Sequence, residues 1–204
     1  MRQKLQDSSV PVVAALLLTG LFGSAAAVRA QLIDTTPTIV GNAKAVQATA
    51  FGNTTVLADT GTLGGTSDAR EASQVTGGVP SVLAGEVLHA VTIGWPDQVA
   101  SEASLGRLAL TVAGTTIGAD VVMARALAVL GGAGFGISNI ANLSINGAPI
   151  PVSGAPNQTI LIPGGRVVIN EQQTSPTTTV VNALHVIVTG VADVVIGSAT
   201  AGIH

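Results

Sequence analysis

Apolar residues alternate with other residues along much of this chain, and this period restricts its fold more than any other feature. Leucine or valine occupies every second position from 108 to 112, and similar alternation runs through 121–130 and 183–189. Successive side chains of a strand point to opposite faces, whereas a helix repeats every 3.6 residues. The pattern therefore predicts strands. The alanines in 121–130 are also good helix formers, but the neighbouring valines and the alternation favour a strand there.

Turn signals separate these segments. The strongest is Asn146-Gly147, a pair typical of a two-residue hairpin turn with positive φ at both positions. Further reversals are predicted at 113–116, 131–132 and 163–165, where glycines interrupt the apolar runs. Pro149 and Pro151 follow the Asn-Gly turn. Because proline cannot donate a ladder hydrogen bond, they indicate an edge strand.

These signals predict an all-β fold, an antiparallel β-sandwich of roughly ten strands. A β-solenoid is the alternative, favoured by the alanine-rich face of 121–130, but the sequence has no fixed repeat period. The core must be built from Val, Ile, Leu and Ala, because Phe51, Trp95 and Phe135 are the only aromatic residues after position 30. We expect a flexible segment near 59–80, which is rich in Gly, Thr and Ser and has little periodicity.

The first thirty residues differ in composition from the rest. Arg2 and Lys4 precede an apolar run from 10 to 22, which small residues follow up to Ala30. The run is shorter than the stretch of about 20 apolar residues that spans a membrane. We therefore expect residues 1–30 to be a secretory signal peptide, cleaved after Ala30, and residues 31–204 to form a single secreted or periplasmic β-rich domain.

Composition narrows the classes of partner. The chain has a net charge of −3 and 9% charged residues, so it offers no basic patch for nucleic acid. The lack of cysteine excludes disulfides, and the few aromatic residues argue against surfaces that stack sugars or bases. We expect no cofactor and no membrane span after signal cleavage. A surface component or another copy of the chain remains as the partner class.

One polar cluster is a candidate for chemistry. Asn170 and Glu171 end one predicted strand, and Asn182 and His185 lie in the next, so a hairpin would bring Glu171 close to Asn182 or His185. A carboxylate beside an imidazole can hold its tautomer for general-base or metal chemistry. The alternative, which we favour, is a hydrogen-bond network that only closes the hairpin. Glu171 and His185 are weak catalytic candidates, and Asn170 and Asn182 are weak binding candidates.

The remaining candidates point away from catalysis. His89 shares a face with Val87 and Val91, where a packed or rim residue is the favoured interpretation. The sequence has no His-x-His or His-Glu-x-x-His spacing for zinc and no Gly-x-Ser-x-Gly elbow for a serine hydrolase. We therefore expect no metal site and no enzyme.

Several segments resemble the secreted bacterial family named choice-of-anchor P. The resemblance is good over 105–203 and weaker over 40–100, and it is carried by INGAPIPV at 145–152, PNQTI at 156–160, PG at 163–164, NEQ at 170–172, VNALHV at 181–186 and DVVIGSA at 193–199. The strand at 118–128, opened by Ala119-Asp120, is also similar to the family's central segment. The resemblance implies an exported, β-rich domain and supplies no catalytic residues. Anchored members end in an anchor that 198–204 does not resemble.

Three functions are consistent with these observations. The first is an exported, non-catalytic module with a structural or adhesive role at or outside the bacterial cell surface. The second is an extracellular enzyme that uses Glu171 and His185, which requires those side chains about 3 Å apart at the floor of a cleft. The third is a binder of small ligands, either around the same two residues or in an apolar groove that includes Met123 and exceeds about 300 Å³.

Overall fold

The computed structural model describes residues 36–204, so the predicted signal peptide and its cleavage site lie outside the described residues. The described part of the chain consists of strands and turns, without a helix. The strands are β1 (Ile39–Ala50), β2 (Asn53–Asp59), β3 (Ala69–Val79), β4 (Leu83–Gly94), β5 (Gln98–Val112), β6 (Thr115–Val129), β7 (Phe135–Ala141), β8 (Ser144–Ile145), β9 (Ala148–Pro149), β10 (Gln158–Ile162), β11 (Gly165–Thr174), β12 (Thr178–Val188) and β13 (Ala192–Ile203).

The strands form two antiparallel sheets. Sheet 1 has the order β10-β11-β12-β13-β1-β2, and sheet 2 has the order β3-β4-β5-β6-β8-β9, with β7 also paired to β6. Strand β13, in the middle of sheet 1, packs across β5 and β6 of sheet 2. The predicted β-sandwich is confirmed, and the solenoid alternative is wrong because neighbouring strands are antiparallel hairpins. The strand number exceeds the predicted ten, since the short strands β8 and β9 carry almost no periodicity.

The predicted alternation matches the two faces of β5 and β6. Leu108 and Leu110 are buried, whereas Arg107 and Ala109 are exposed. In β6 the alanines at 124, 126 and 128 face the core, and Arg125 lies on the outer face. Full burial of a Leu or Ile side chain contributes about 1.5–3 kcal/mol, so leucines and isoleucines supply much of the stability. The largest fully buried side chains include Leu88, Leu105, Leu110, Ile117, Ile169, Leu184 and Ile196.

Small side chains let the sheets approach closely near one end. The hydroxyl of Ser101 in sheet 2 donates to the carbonyl of Thr200 in sheet 1 at 2.6 Å, and it lies 2.7 Å from the hydroxyl of Thr92. Ser101 and Thr92 are both buried, so the hydrogen bond from Ser101 to Thr200 joins the layers directly across the core. Aromatic side chains would not fit between layers at this spacing, which is consistent with Phe51 and Phe135 lying exposed on the surface.

An irregularity crosses sheet 1 and determines which side chains face outward. Asn170 on β11 has a φ of 53°, and it does not form a ladder pair with Ala183 on β12, although the pairs on either side share one register. Gly197 on β13, with a φ of 64°, likewise forms no ladder pair with Ala183, although the pairs on either side of it share one register. Positive φ favours Gly and Asn, which explains these residue types at the two positions.

The irregularity reverses the alternation within β12. Ala183 and Leu184 are consecutive and both buried. Asn182 and His185 are therefore both on the outer face of sheet 1, although they are three positions apart. A regular strand would place them on opposite faces. This reversal builds the polar site described below.

Most predicted turns are confirmed. Asn146 and Gly147 have φ values of 52° and 78° and connect β8 to β9, as expected for a type I′ turn. Pro149 lies in β9 at the edge of sheet 2, where its missing N–H costs no ladder bond. Turns also lie at 113–114 and 163–164, between β5 and β6 and between β10 and β11.

The segment near 59–80, for which flexibility is predicted, contains a strand. Its second half forms β3, an eleven-residue strand at the edge of sheet 2, whereas 60–68 and Pro80 lack a strand. Most side chains of β3 are exposed, so no apolar alternation marks it in the sequence. Its pairing with β4 uses backbone hydrogen bonds, which do not depend on side-chain pattern.

Candidate functional site

The predicted contact between Glu171 and His185 exists. The strands β11 and β12 form a hairpin in which Glu171 stands directly opposite Asn182. The amide of Asn182 donates to Oε2 of Glu171 at 2.7 Å, and Nδ1 of His185 lies 2.8 Å from the same oxygen. The side chains of His185 and Glu171 are 14% and 20% exposed, so the cluster is largely shielded on the outer face of sheet 1.

Asp193 is a fourth member of this cluster, and the sequence analysis missed it. Its Oδ1 lies 2.9 Å from Nε2 of His185, on the opposite side of the ring from Glu171. In the β12–β13 hairpin Asp193 stands opposite Ile187, two positions along the outer face from His185. The short turn at 189–191 is the signal that could have predicted this neighbourhood, because it fixes the register of the hairpin.

The hydrogen bonds of His185 limit its chemistry. A neutral imidazole has one N–H and one lone pair, whereas the protonated ring has two N–H groups. Because a carboxylate oxygen faces each nitrogen, only the protonated ring can donate to both Glu171 and Asp193. A general base or a metal ligand needs a nitrogen lone pair that a substrate or metal ion can reach, and here a carboxylate of the fold lies against each ring nitrogen. Within 36–204, no three His, Asp or Glu side chains are arranged to hold a metal ion.

Of the cluster, Asp193 alone lines the nearest groove. A groove of about 270 Å³ follows the β12–β13 turn and is lined by Asp193, Ile187 and residues of the turn, but by neither Glu171 nor His185. Glu171 and His185 therefore meet the distance requirement for the enzyme hypothesis without meeting its requirement for a cleft. Their geometry fits the alternative interpretation, a network that joins three neighbouring strands.

Asn170 does not join this cluster. Its side chain is buried, with 2% of the residue exposed, and its amide donates to the carbonyl of Gly154 at 3.0 Å. Its Oδ1 accepts a hydrogen bond from Gln172 at 2.9 Å. Asn170 thus ties the segment before β10 to β11, as the structural interpretation expects. Asn182, by contrast, bonds the side chain of Glu171 and no loop backbone.

A second histidine cluster lies on the outer face of sheet 2. His89 on β4 stands opposite Ser73 on β3, and its Nδ1 lies 3.0 Å from the Ser73 hydroxyl. The same hydroxyl donates to Glu71 at 2.9 Å. A serine-hydrolase triad needs the serine on one ring nitrogen and the acid on the other. Here both partners lie at Nδ1, with Glu71 at 3.6 Å, so no carboxylate orients the ring from the nitrogen opposite Ser73 and the triad arrangement is not formed.

The predicted apolar groove that includes Met123 is neither the groove at the β3–β4 turn nor the one at the β12–β13 turn. Met123 lies partly buried on the outer face of β6, between Ser104 and Asn139. A groove of about 640 Å³ exists elsewhere, at the turn between β3 and β4, and it is lined by Pro80, Val82 and Ala109 among others. It contains no charged side chain, so it offers no fixed charge to orient a ligand.

Asp68 closes the loop that precedes β3. Its Oδ2 accepts hydrogen bonds from the Gly64 N–H at 2.7 Å and from Nε of Arg70 at 2.9 Å. The hydrogen bond from the Gly64 backbone, and after it the one from Arg70, hold the pKa of the Asp68 carboxyl below its usual range because both favour the charged form. The loop is therefore held by a charged side chain at the surface.

No family model, no curated protein and no solved structure matches the chain. Among the described residues, no helix has the length and hydrophobicity needed to cross a membrane.

Proposed function

We propose that the chain is an exported bacterial β-sandwich module that acts through its surface, in a structural or adhesive role at or outside the cell surface, and not as a catalyst. The hydrogen bonding of His185 carries this proposal, because both ring nitrogens face carboxylates of the fold itself. The composition of residues 1–30 and the resemblance of 105–203 to choice-of-anchor P proteins support export.

The physical argument compares what a catalyst needs with what the candidate residues offer. A general base must reach a substrate proton and have a lone pair to accept it. His185 is largely shielded, and neither His185 nor Glu171 lines the neighbouring groove. Joining β11, β12 and β13 accounts for all three side-chain contacts of the cluster. A module of this kind needs a stable scaffold with two accessible outer faces.

The test is localisation in the bacterium that encodes the chain. Cells are fractionated, and the protein is detected with an antibody, before and after protease treatment of intact cells. We expect a mature form that begins at Gln31 and is degraded by external protease or found in the medium. A full-length form confined to the cytoplasm would contradict export.

Complementation separates a surface role from catalysis. Deletion of the gene is expected to lower attachment of cells to a surface, and the Glu171→Gln variant is expected to restore it. The substituted side chain keeps the size of the original and a hydrogen-bonding oxygen, but it cannot act as a carboxylate base. Loss of complementation by a variant that is exported and folded would support catalysis instead.

The second candidate is an extracellular enzyme, or a small-ligand binder, at Glu171 and His185. The 2.8 Å contact between these side chains favours it, since a carboxylate that orients an imidazole is a common catalytic pair. Movement of the exposed Asp193 would free Nε2. The measurement is metal content of protein purified without chelator, combined with a structure of the same sample. One metal ion per chain, bound at His185, would favour this candidate.

A further inference from the structure

The two sides of the sandwich differ in how their edge strands are covered. On one side, β2 of sheet 1 and β3 of sheet 2 pack against each other. On the other side, β7 of sheet 2 lies over β11 and β12, and a groove of about 410 Å³ opens along it. We call this the β7 groove. It lies between residues 134–137 and the segment 154–156, and Asn170 and Gln172 also line it.

Strand β7 lacks the features that protect the other edges. An edge strand exposes unpaired backbone groups, and proteins block such edges with charges, prolines or short strands. Strand β3 carries Arg70 and Glu71, β9 ends at Pro149, and the five-residue β10 is followed directly by Pro163. Strand β7 has seven residues, FGISNIA, without charge or proline. Its Phe135 and Ile137 side chains are 56% and 43% exposed.

The backbone of β7 directs hydrogen-bonding groups into this opening. The carbonyl of Gly136 accepts a hydrogen bond from Nε2 of Gln172 at 3.0 Å, so it points away from β6. In an antiparallel strand the N–H and C=O of one residue point the same way, and the direction alternates along the strand. Gly136 and Ser138 therefore both direct an N–H and a C=O outward. In the described part of the chain, Gln172 is the one side chain that bonds this edge.

Gln172 occupies the place of a neighbouring strand. Its amide N–H makes with Gly136 the hydrogen bond that a peptide N–H would make, and Asn170 Oδ1 holds the same amide at 2.9 Å. Within the described residues β7 pairs with β6 alone, so its outward N–H and C=O groups have no second strand as a partner.

The lining defines the class of ligand. It contains amides, glycine backbone and apolar side chains, and no charged group. Glycines at 134 and 136 let β7 lie close to β12, where a side chain would collide with Thr179 or Val181. Such a site favours a neutral ligand with regularly spaced N–H and C=O groups. We propose that the β7 groove binds an uncharged, extended peptide segment of another protein, which adds to sheet 2 as a strand next to β7.

This inference goes beyond the proposed function, since it depends on neither export nor the absence of catalysis. The probe is a capped five-residue peptide of alternating valine and threonine. It is titrated into the ¹⁵N-labelled full chain and followed by NMR. We expect the amides of Gly136 and Ser138 to shift and to become protected from hydrogen exchange. A peptide with the same side chains and N-methylated alternate amides should not produce these changes.

Ser138→Pro tests the hydrogen bonds directly. The N–H that it removes points away from β6, so the β6–β7 ladder remains, while affinity for the peptide should fall about ten-fold. Ser138→Ala is the matched control, and it should bind like the unmodified chain. Equal binding by Ser138→Pro, equal binding of the N-methylated peptide, or shifts confined to Leu83 and Ala84 of the β3–β4 groove would each overturn the proposal.

Gln172→Ala provides an independent measurement if Ser138→Pro does not fold. Removing the amide that competes for the Gly136 carbonyl should tighten peptide binding about three-fold. Gln173→Ala on the exposed end of β11 is the control and should leave affinity unchanged. Unchanged or weaker binding by Gln172→Ala would show that the peptide does not use the Gly136 carbonyl, and would also overturn the proposal.

Discussion

His185 and His89 are each placed next to carboxylates on the outer face of a sheet, but their surroundings differ. His185 lies on β12 inside sheet 1, is 14% exposed, and contacts a carboxylate with each ring nitrogen. His89 lies next to the edge strand β3, is 37% exposed, and contacts Ser73 and Glu71 through one nitrogen. Residue types alone therefore do not give a cluster its role. Burial and the direction of each ring nitrogen decide whether it stabilises the fold.

The largest expected difference comes from removing each imidazole. His185→Ala should lower the free energy of unfolding by about 2 kcal/mol, because Glu171 and Asp193 lose the ring that lies between them and Glu171 is largely shielded. His89→Ala should cost less than about 0.5 kcal/mol, as is usual for an exposed side chain. Urea denaturation of both variants at neutral pH measures the difference. Equal losses would break the distinction between the two clusters.

A smaller difference is expected for the carboxylates that face each Nδ1. Glu171→Gln should cost about 1 kcal/mol, because the neutral amide is a weaker partner for His185 and Asn182. Glu71→Gln should change the free energy of unfolding by no more than about 0.5 kcal/mol, since Glu71 is mostly exposed. The same denaturation experiment compares the pair. A larger loss at Glu71 would mean that the edge cluster is the more important one.

Within the His185 cluster, the two carboxylates should contribute unequally. Asp193 is 59% exposed, so Asp193→Asn should cost only about 0.3 kcal/mol, well below the cost of Glu171→Gln. A double-mutant cycle between His185 and each carboxylate separates the two pairs. Stronger coupling to Asp193 than to Glu171 would contradict the order inferred from burial.

The smallest expected effect is local and concerns the loop before β3. The pKa of Asp68 is lower in the folded chain than in the unfolded chain. The contribution of its carboxylate to stability is therefore complete above the pKa of the unfolded carboxyl, and it is lost as pH falls through the lower, folded pKa. NMR shifts of the Gly64 amide should follow this loss at acidic pH. The Asp68→Asn variant should show the altered Gly64 shift at every pH. Signals of His185 should not change in that variant, whereas a change there would mean that the two sheets respond together.

The strands with strong alternation could be predicted from the sequence, and those without it could not. The leucines and valine at 108–112 and the alanines of β6 face the core as their spacing requires. The Asn146-Gly147 turn follows from local chemistry, because few residue pairs accept positive φ at both positions. Strand β3 has no such pattern. It exists because the edge of β4 offers backbone partners, and that edge forms only when the sheet forms.

For the candidate site, the presence of Glu171 and His185 in one hairpin follows from the sequence, because the two segments are close in the chain and share a short turn. The common orientation of Asn182 and His185 follows only from the folded structure. That outcome depends on the irregularity at Asn170, Ala183 and Gly197, which spans three strands and reverses the alternation. Asp193 likewise reaches His185 through strand pairing. Local sequence sets the period of a strand, whereas contacts between strands decide where that period breaks.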